Sequence, residues 1–327
     1  MPPPMSMHNK PSAKGVKNVG RRVCAMDEFY IAFAPLQGYT DSIYRRAHCV
    51  HAGGVSEYYT PFIRLEGGAP RRKDLRDIAA DGCQGVPTVP QVIAKDREEF
   101  ARLCDAVEEL GWNRIDLNLG CPFPMQSKSG RGSGLLQHPA ELENIAREMA
   151  KRAEVSFSVK MRLGQEKADE GLEAIRILND IPLTHIVLHP RLGRQQYKGN
   201  VDIVSFEQLC DTCRHAMVYN GDIAGTDEIE RWRRHGGKIK GVMIGRGLLA
   251  RPWMLGGGNP SVVLRRMHDE VYRHATLTLC GESQILSRLH AFWEHIAIGH
   301  KEHKAVMKAT SLRRYDEAVA TVFSRGS

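Results

Sequence analysis

The sequence predicts a (β/α)₈ TIM barrel followed by a small, all-helical C-terminal domain. Three observations carry that expectation. Short apolar or alternating runs recur from about residue 30 to residue 245, with helix-period stretches between most of them, as in parallel strands joined by helices. Polar and reactive residues stand just past the ends of these runs, where barrels of this kind place their chemistry. Beyond Pro252 only helical periodicity remains. A doubly wound open sheet is the alternative, disfavoured because no Gly-x-Gly-x-x-Gly follows the first strand.

Composition narrows the class. The 327 residues are 42% hydrophobic and 26% charged, with a net charge of +8, which describes a globular chain with a leaning toward polyanionic partners. No apolar run approaches the roughly 20 residues that span a bilayer. The N-terminus lacks the apolar core of a secretory signal, so a cytoplasmic protein with no membrane partner is expected. The 8 cysteines are scattered and are expected to stay reduced.

Residues 1–25 carry Pro2-Pro3-Pro4 and five basic residues with no acid, and read as a disordered basic tail. Residues 26–255 then form the barrel. Strands are expected at 30–34, ended by Pro35, at 55–62, and at 86–93, where prolines interrupt. A helix follows with Phe100, Leu103, Cys104, Val107 and Leu110 on one face. The fourth strand alternates Ile115, Leu117 and Leu119 with Asp116 and Asn118, and stops at Gly120-Cys121-Pro122. Leu142, Ile145, Ala146 and Met149 mark the next helix, and strands at 157–162, 185–189, 217–220 and 241–245 complete the set. Residues 256–327 are the helical domain, with helices expected at 262–277, 283–298 and 304–322.

The strand ends carry Gln37, Gln91, Asn118, Cys121, Lys160, Arg162, His189, Arg191, Asn220, Asp222 and Arg246. Gly245-Arg246-Gly247 after the eighth strand offers N–H groups and a guanidinium suited to a phosphate, and Asn220-Gly221-Asp222 adds donors after the seventh. Such a site suits a cofactor with a terminal phosphate and a flat ring over the barrel mouth. Lys160 would stabilise negative charge on a reduced flavin, with Gln91 and Asn118 at ring edges. Cys121 is then a proton donor or a nucleophile. Glycines at 130, 132 and 134 suit a backbone folded closely around a ligand or another chain.

In order and spacing the chain resembles the tRNA-dihydrouridine synthases from about residue 31 to 255. The matching motifs are Ala34-Pro35-Leu36-Gln37-Gly38-Tyr39-Thr40-Asp41, Gln91, Asp116-Leu117-Asn118-Leu119-Gly120-Cys121-Pro122, the run 130–136, and Val159-Lys160-Met161-Arg162-Leu163-Gly164. They continue with His189-Pro190-Arg191, Tyr197, Asn220-Gly221-Asp222-Ile223 and Met243-Ile244-Gly245-Arg246-Gly247. Asn-x-Gly-Cys-Pro and its glycine-rich sequel are the specific part. The resemblance implies an FMN enzyme, reduced by NADPH (or NADH), that turns a tRNA uridine into 5,6-dihydrouridine. It implies Cys121 as the acid at C5 while FMN N5 delivers hydride to C6. By the same resemblance Ala34, Pro35, Leu36, Gln91, Lys160, His189, Asn220, Gly221, Asp222, Gly245 and Arg246 hold FMN, and Asn118, Arg162 and Tyr197 face an extruded uridine. Arg64, Arg71-Arg72-Lys73 and Arg288, near Trp293, are candidates for the tRNA backbone, the last in a tRNA-binding helical domain. A monomer without a metal site is expected.

The chain departs from the family at Leu36, where methionine is usual, and at Gln37 and Pro61. Pro124 and Met125 stand where a lysine and a small residue are common, and Arg131 interrupts the glycines. These departures bear on which uridine is held and how. Cys210-x-x-Cys213 has no second pair at metal spacing and reads as core packing; residues 231–235 read as a solvated helix face. Two rivals to the synthase remain: an FMN barrel reductase of a small conjugated substrate (dihydroorotate dehydrogenase-like), and a non-catalytic tRNA-binding barrel.

Overall fold

The computed structural model describes residues 29–79 and 85–324; the expected tail at 1–25 lies outside them. Among the described residues one parallel sheet of 9 segments runs, in spatial order, Thr88–Val89, Glu57–Tyr59, Tyr30–Phe33, Ile239–Ile244, Met217–Tyr219, Ile186–Leu192, Ser156–Gly164, Arg114–Leu119 and Gln91–Val92. The first and last segments are halves of one strand divided at Pro90, which has no N–H for the ladder. The Val89 carbonyl accepts the Thr60 N–H at 3.1 Å on one side, and the Pro90 carbonyl accepts the Asp116 N–H at 2.9 Å on the other. The sheet thereby closes into the expected barrel, with its third strand broken at the proline. All expected strands are present.

Helices Ser42–His51, Arg97–Glu108, Pro139–Lys151, Asp169–Leu178, Ile203–Thr212 and Thr226–His235 cover the outside. Asp41, Asp96 and Asp202 start three of them by accepting N–H bonds from Tyr44, Glu99 and Ser205, caps worth about 1 kcal/mol each. On Thr226–His235 the basic residues are exposed as expected, while Trp232 turns in and stacks on Tyr219 with ring centroids 3.8 Å apart. Cys210 and Cys213 are buried at the end of helix Ile203–Thr212, within the apolar core. Among the described residues no His/Cys/Asp/Glu group is placed to hold a metal. Cys104, Cys121, Cys210, Cys213 and Cys280 carry free thiols, while Cys49 is disulfide-bonded, a departure from the expectation that all stay reduced.

The barrel interior is lined by alternate residues of each strand. At its N-terminal end they form a polar plug. The Tyr30 hydroxyl donates to Glu57 Oε2 at 2.5 Å and the Tyr59 hydroxyl to the same oxygen at 2.9 Å. Arg114 pairs with Glu57 Oε1 at 2.5 Å, and His185 Nε2 lies 2.9 Å from the Tyr59 hydroxyl. Burial pushes His185 down to about 3, so it is neutral.

The chain leaves the barrel near Leu255, and helix Pro260–Thr278 lies on helix Ser42–His51. Glu270 accepts from Arg46 and pairs with His51, both at 2.8 Å. Tyr44 meets Phe292 with ring centroids 6.1 Å apart. A single apolar cluster runs from the outer barrel layer into the helical region. Trp293 Nε1 donates to the Tyr315 hydroxyl at 2.7 Å, with His268 Nε2 2.9 Å from the same oxygen. Two helix boundaries differ from expectation. The second helix, Glu282–Trp293, ends early, and the expected third is two, His300–Met307 and Leu312–Ser324. The break has a physical cause: Glu282 takes the Leu312 N–H at 2.6 Å and Ser311 Oγ the Arg314 N–H, so side chains cap a new start.

Candidate active site

The site begins with the alternation of the fourth strand, which turns Asp116 and Asn118 inward. Asn118 Nδ2 donates to Gln91 Oε1 at 2.7 Å, Gln91 Nε2 to Asp116 Oδ2 at 2.7 Å, and the Ser158 hydroxyl to Asp116 Oδ1 at 2.6 Å. Asn118 Oδ1 accepts the N–H groups of Gly120 and Cys121 at 3.0 and 2.8 Å. This side-chain turn ends the strand and aims the thiol at the barrel mouth.

The glycine-rich run braces that turn from behind. Ser133 gives both its N–H and its hydroxyl to the Cys121 carbonyl, at 3.1 and 2.9 Å. Gly132 has φ +59°, and a Cβ there would come 2.6 Å from the same carbonyl oxygen; at Gly134 one would come 2.1 Å from the Ser127 oxygen. Only glycine lets the two arms of the loop close. Arg162 Nε donates to the Gly120 carbonyl at 2.9 Å, and its Nη1 to the carbonyls of Leu192 and Gln196. Arg162 therefore binds the fourth-strand turn to the loop after the sixth strand.

These residues surround a cleft of about 400 Å³, within the range of cofactor sites. Of the sequence-predicted site residues, Ala34, Pro35, Leu36, Asn118, Cys121, Lys160, Arg162, His189, Tyr197, Asn220, Gly221, Asp222, Gly245 and Arg246 line it. Tyr197 lies under two guanidinium groups, Arg246 at 4.5 Å and Arg162 at 5.5 Å from its ring centroid. The other candidates, Arg71, Arg72 and Lys73 among them, stand outside the cleft. Gln91 is fully buried beneath the floor, committed to Asp116 and Asn118, and does not reach the cleft. Arg64 pairs with Glu66 at 3.1 Å. Arg288, mostly buried, donates to Asp41 at 2.7 Å and joins the helical region to the barrel.

Burial controls the electrostatics. It pushes the Cys121 thiol up, against the Phe123 N–H that bonds to the sulfur and the charges of Arg162 and Lys160, so the thiol keeps its proton near neutrality. Lys160 lines the cleft and has no acceptor among the described residues; desolvation, with help from Arg162, brings it down to about 8. His189 is pulled well below its usual range by burial and four nearby cations, and is neutral. Asp116 rises to about 6, chiefly from burial.

Arg191 was visible as a strand-end cation but carried no assigned role. It grips Asp222 through both carboxylate oxygens, at 2.9 and 2.5 Å, and holds that residue at φ +42°, a conformation non-glycine residues rarely adopt. The Arg191 bond, opposed by burial, also keeps the Asp222 carboxyl low. Gln165, whose side-chain amide lies 2.7 Å from the Ser133 hydroxyl, is a further residue of the brace that no local signal marks.

A closed parallel barrel with a thiol, a lone ammonium and a phosphate-suited loop at its C-terminal mouth is the architecture of a barrel oxidoreductase. The particular family follows from comparison: residues 32–323 match the model described as dihydrouridine synthase (Dus), and the chain belongs to that family. Among its relatives, the tRNA-dihydrouridine(16) synthase of Pseudomonas putida is 32% identical over 230 residues, 68% of this chain and 71% of that one. The enzyme of the same name from Cupriavidus necator is 27% identical over 310 residues, covering 88% of this chain and 96% of the relative. The tRNA-dihydrouridine synthase B of Shewanella oneidensis is 27% identical over 225 residues, 68% of each chain. Among solved structures, a morphinone reductase variant in complex with tetrahydroNAD superposes with TM-score 0.50 at 10% identity, over 72% of this chain and 90% of its own, and shares the fold alone.

Proposed function

We propose that this protein reduces the C5–C6 bond of a tRNA uridine to 5,6-dihydrouridine, using FMN and NADPH or NADH. The observation that carries this is Cys121, a protonated thiol fixed through its N–H, its carbonyl and its neighbour's carbonyl at the mouth of a cationic cleft. The cleft residues fit the cofactor. Lys160 presents an ammonium with no acceptor among the described residues, Ala34 and Gly245 add small residues to the lining, and Arg246 with the N–H groups opening helix Arg246–Ala250 suits a phosphate.

Reduced FMN, when bound, supplies a hydride for C6. Cys121 supplies the proton to C5, and its thiolate then takes a proton back from solvent. Lys160 and Arg162 stabilise that transient thiolate, since both already act on the sulfur. Asn118 and the Ser133 brace keep the thiol in place while the base enters. Arg162 and Tyr197 hold the extruded uracil, with Arg64 among the cations for the backbone. Arg288 supports the tRNA face by fixing the helical region to the barrel. The relative matched over 96% of its length is named for position 16, which makes uridine 16 the first to assay. The proposed setting is a cytoplasmic monomer; no described helix is long and apolar enough to cross a membrane.

The test is an absorbance spectrum of purified protein, then NADPH, then unmodified tRNA. Flavin bands that bleach with NADPH and recover with tRNA, with dihydrouridine formed, are expected. Flavin that ignores tRNA but turns over a free enone or orotate would replace the synthase with a small-substrate reductase, and a colourless tRNA binder would remove catalysis altogether.

A further inference from the structure

Eight large apolar side chains are exposed among the described residues, and three stand at the cleft mouth or within four residues of Cys121: Phe123 at 51%, Met125 at 77% and Tyr197 at 38%. Tyr197 is covered by its two guanidiniums. Phe123 and Met125 have no such cover, although burying either would be worth about 1.5–3 kcal/mol. Nor are they on a loose loop. The Phe123 N–H bonds to the Cys121 sulfur, and the Phe123 carbonyl accepts from Gln126 and Ser127 at 2.8 and 3.0 Å, in short helix Pro124–Ser127. Gln126 is buried behind it, and the Gln126 carbonyl accepts the Arg131 N–H at 3.0 Å. A braced turn thus holds two apolar side chains in water beside the reacting thiol. At the end of that helix Lys128 is exposed and has no acidic partner among the described residues.

We propose that Phe123 and Met125 form a wedge that stacks on the bases flanking the target uridine and fills the gap it leaves, with Lys128 at the adjoining phosphate. This rests on the tRNA-uridine activity proposed above. Extruding a base forfeits its stacking, and an apolar side chain inserted between its neighbours restores part of it. A rigid wedge needs no reorganisation on binding. The occupant is RNA bases because an exposed aromatic with a cation five residues on, unpaired among the described residues, matches the interleaved π-face and phosphate of a single strand. Both side chains are on the turn carrying the thiol, so stacking there places the empty position over Cys121. Phe123 and Met125 are specificity-determining and positioning residues, with no part in the proton transfer.

The experiment uses the holoenzyme, NADPH and two RNAs: folded unmodified tRNA, and the same tRNA with abasic sites on both sides of the target uridine. Phe123→Ala and Met125→Ser are each expected to lower kcat/KM on folded tRNA by about ten- to a hundred-fold, the worth of one stacked base. Phe123→Tyr should restore most of the loss. On the abasic RNA there is nothing to stack on, so wild type and variants should run at the same reduced rate. Met125 is so exposed that Met125→Ser removes no buried contact, which keeps the test decisive if Phe123→Ala disturbs the thiol turn. Met125→Ser at wild-type kcat/KM on folded tRNA, or an equal loss on both RNAs, would overturn the wedge. A wild-type holoenzyme that reduces no tRNA uridine would instead overturn the proposed function.

Discussion

The two ends of the barrel interior are both polar, yet they differ in what their polar groups bind. At the N-terminal end Tyr30, Tyr59, His185 and Arg114 converge on Glu57 or on one another, and every charge meets its opposite within the protein. At the C-terminal end Lys160 has no acceptor among the described residues, and the Cys121 thiol keeps a proton under cationic neighbours. A saturated network in low dielectric gives one rigid arrangement. An unsaturated one is costly unless a ligand completes it. Burial and polarity alone therefore do not mark a functional site; the missing partner does.

The contrast breaks most sharply at the thiol. Cys121→Ala is expected to slow single-turnover reduction of tRNA by about 10²–10⁴-fold, the usual worth of a general acid, while flavin stays bound. Stopped-flow flavin reoxidation measures it, and a rate within a few-fold of wild type would remove Cys121 from the chemistry. At the other end the expected loss is stability. Glu57→Gln leaves Arg114 and two hydroxyls poorly matched and should cost about 1–3 kcal/mol by urea unfolding, with turnover unchanged. Lost turnover at full stability would show that the plug communicates with the cleft.

Two pH experiments sharpen the comparison at smaller amplitude. Lys160 titrates at about 8, and an electron-rich ligand binds better to its charged form. Flavin affinity should therefore be full below that value and fall by up to about tenfold per pH unit above it. Lys160→Met should flatten the profile, as read by fluorescence titration. His185 is held neutral, with its pKa lowered from 6.5 to about 3. The unfolded chain binds the extra proton between those values, so stability falls as pH drops from 6.5 toward 3, with a slope of at most about 1.4 kcal/mol per pH unit. His185→Gln should remove that one-proton slope, and an unaltered slope would assign it to another buried group such as His48.

Much of the site was legible because its parts are local. Asn118, Gly120 and Cys121 lie within one turn, and the glycines that close against them follow within fourteen residues. Strand-end position also brings Lys160, His189 and Arg246 to one cleft, since the barrel gathers all such ends at one mouth. Gln91, expected at a ring edge, lies off the cleft lining for a related reason. Its strand breaks at Pro90, and the residue falls one layer below the floor, where Asp116 and Asn118 consume its amide. The helical region was less legible. Arg288 reads as a surface cation in a basic helix, but it meets Asp41, distant in sequence.

The sequence by itself determined the strand–helix alternation, the closed barrel it implies, the thiol at a strand-end turn and the family those motifs resemble. Each depends on side-chain periodicity or on backbone sterics within a few residues, which a linear chain displays directly. Only the tertiary structure decided which charges are paired, where Gln91 sits, that Arg191 holds Asp222 in its unusual conformation, and that Phe123 and Met125 face water beside the cleft. Those outcomes depend on partners far apart in the chain and on desolvation summed over all of them, quantities that exist only once the ring of strands has closed.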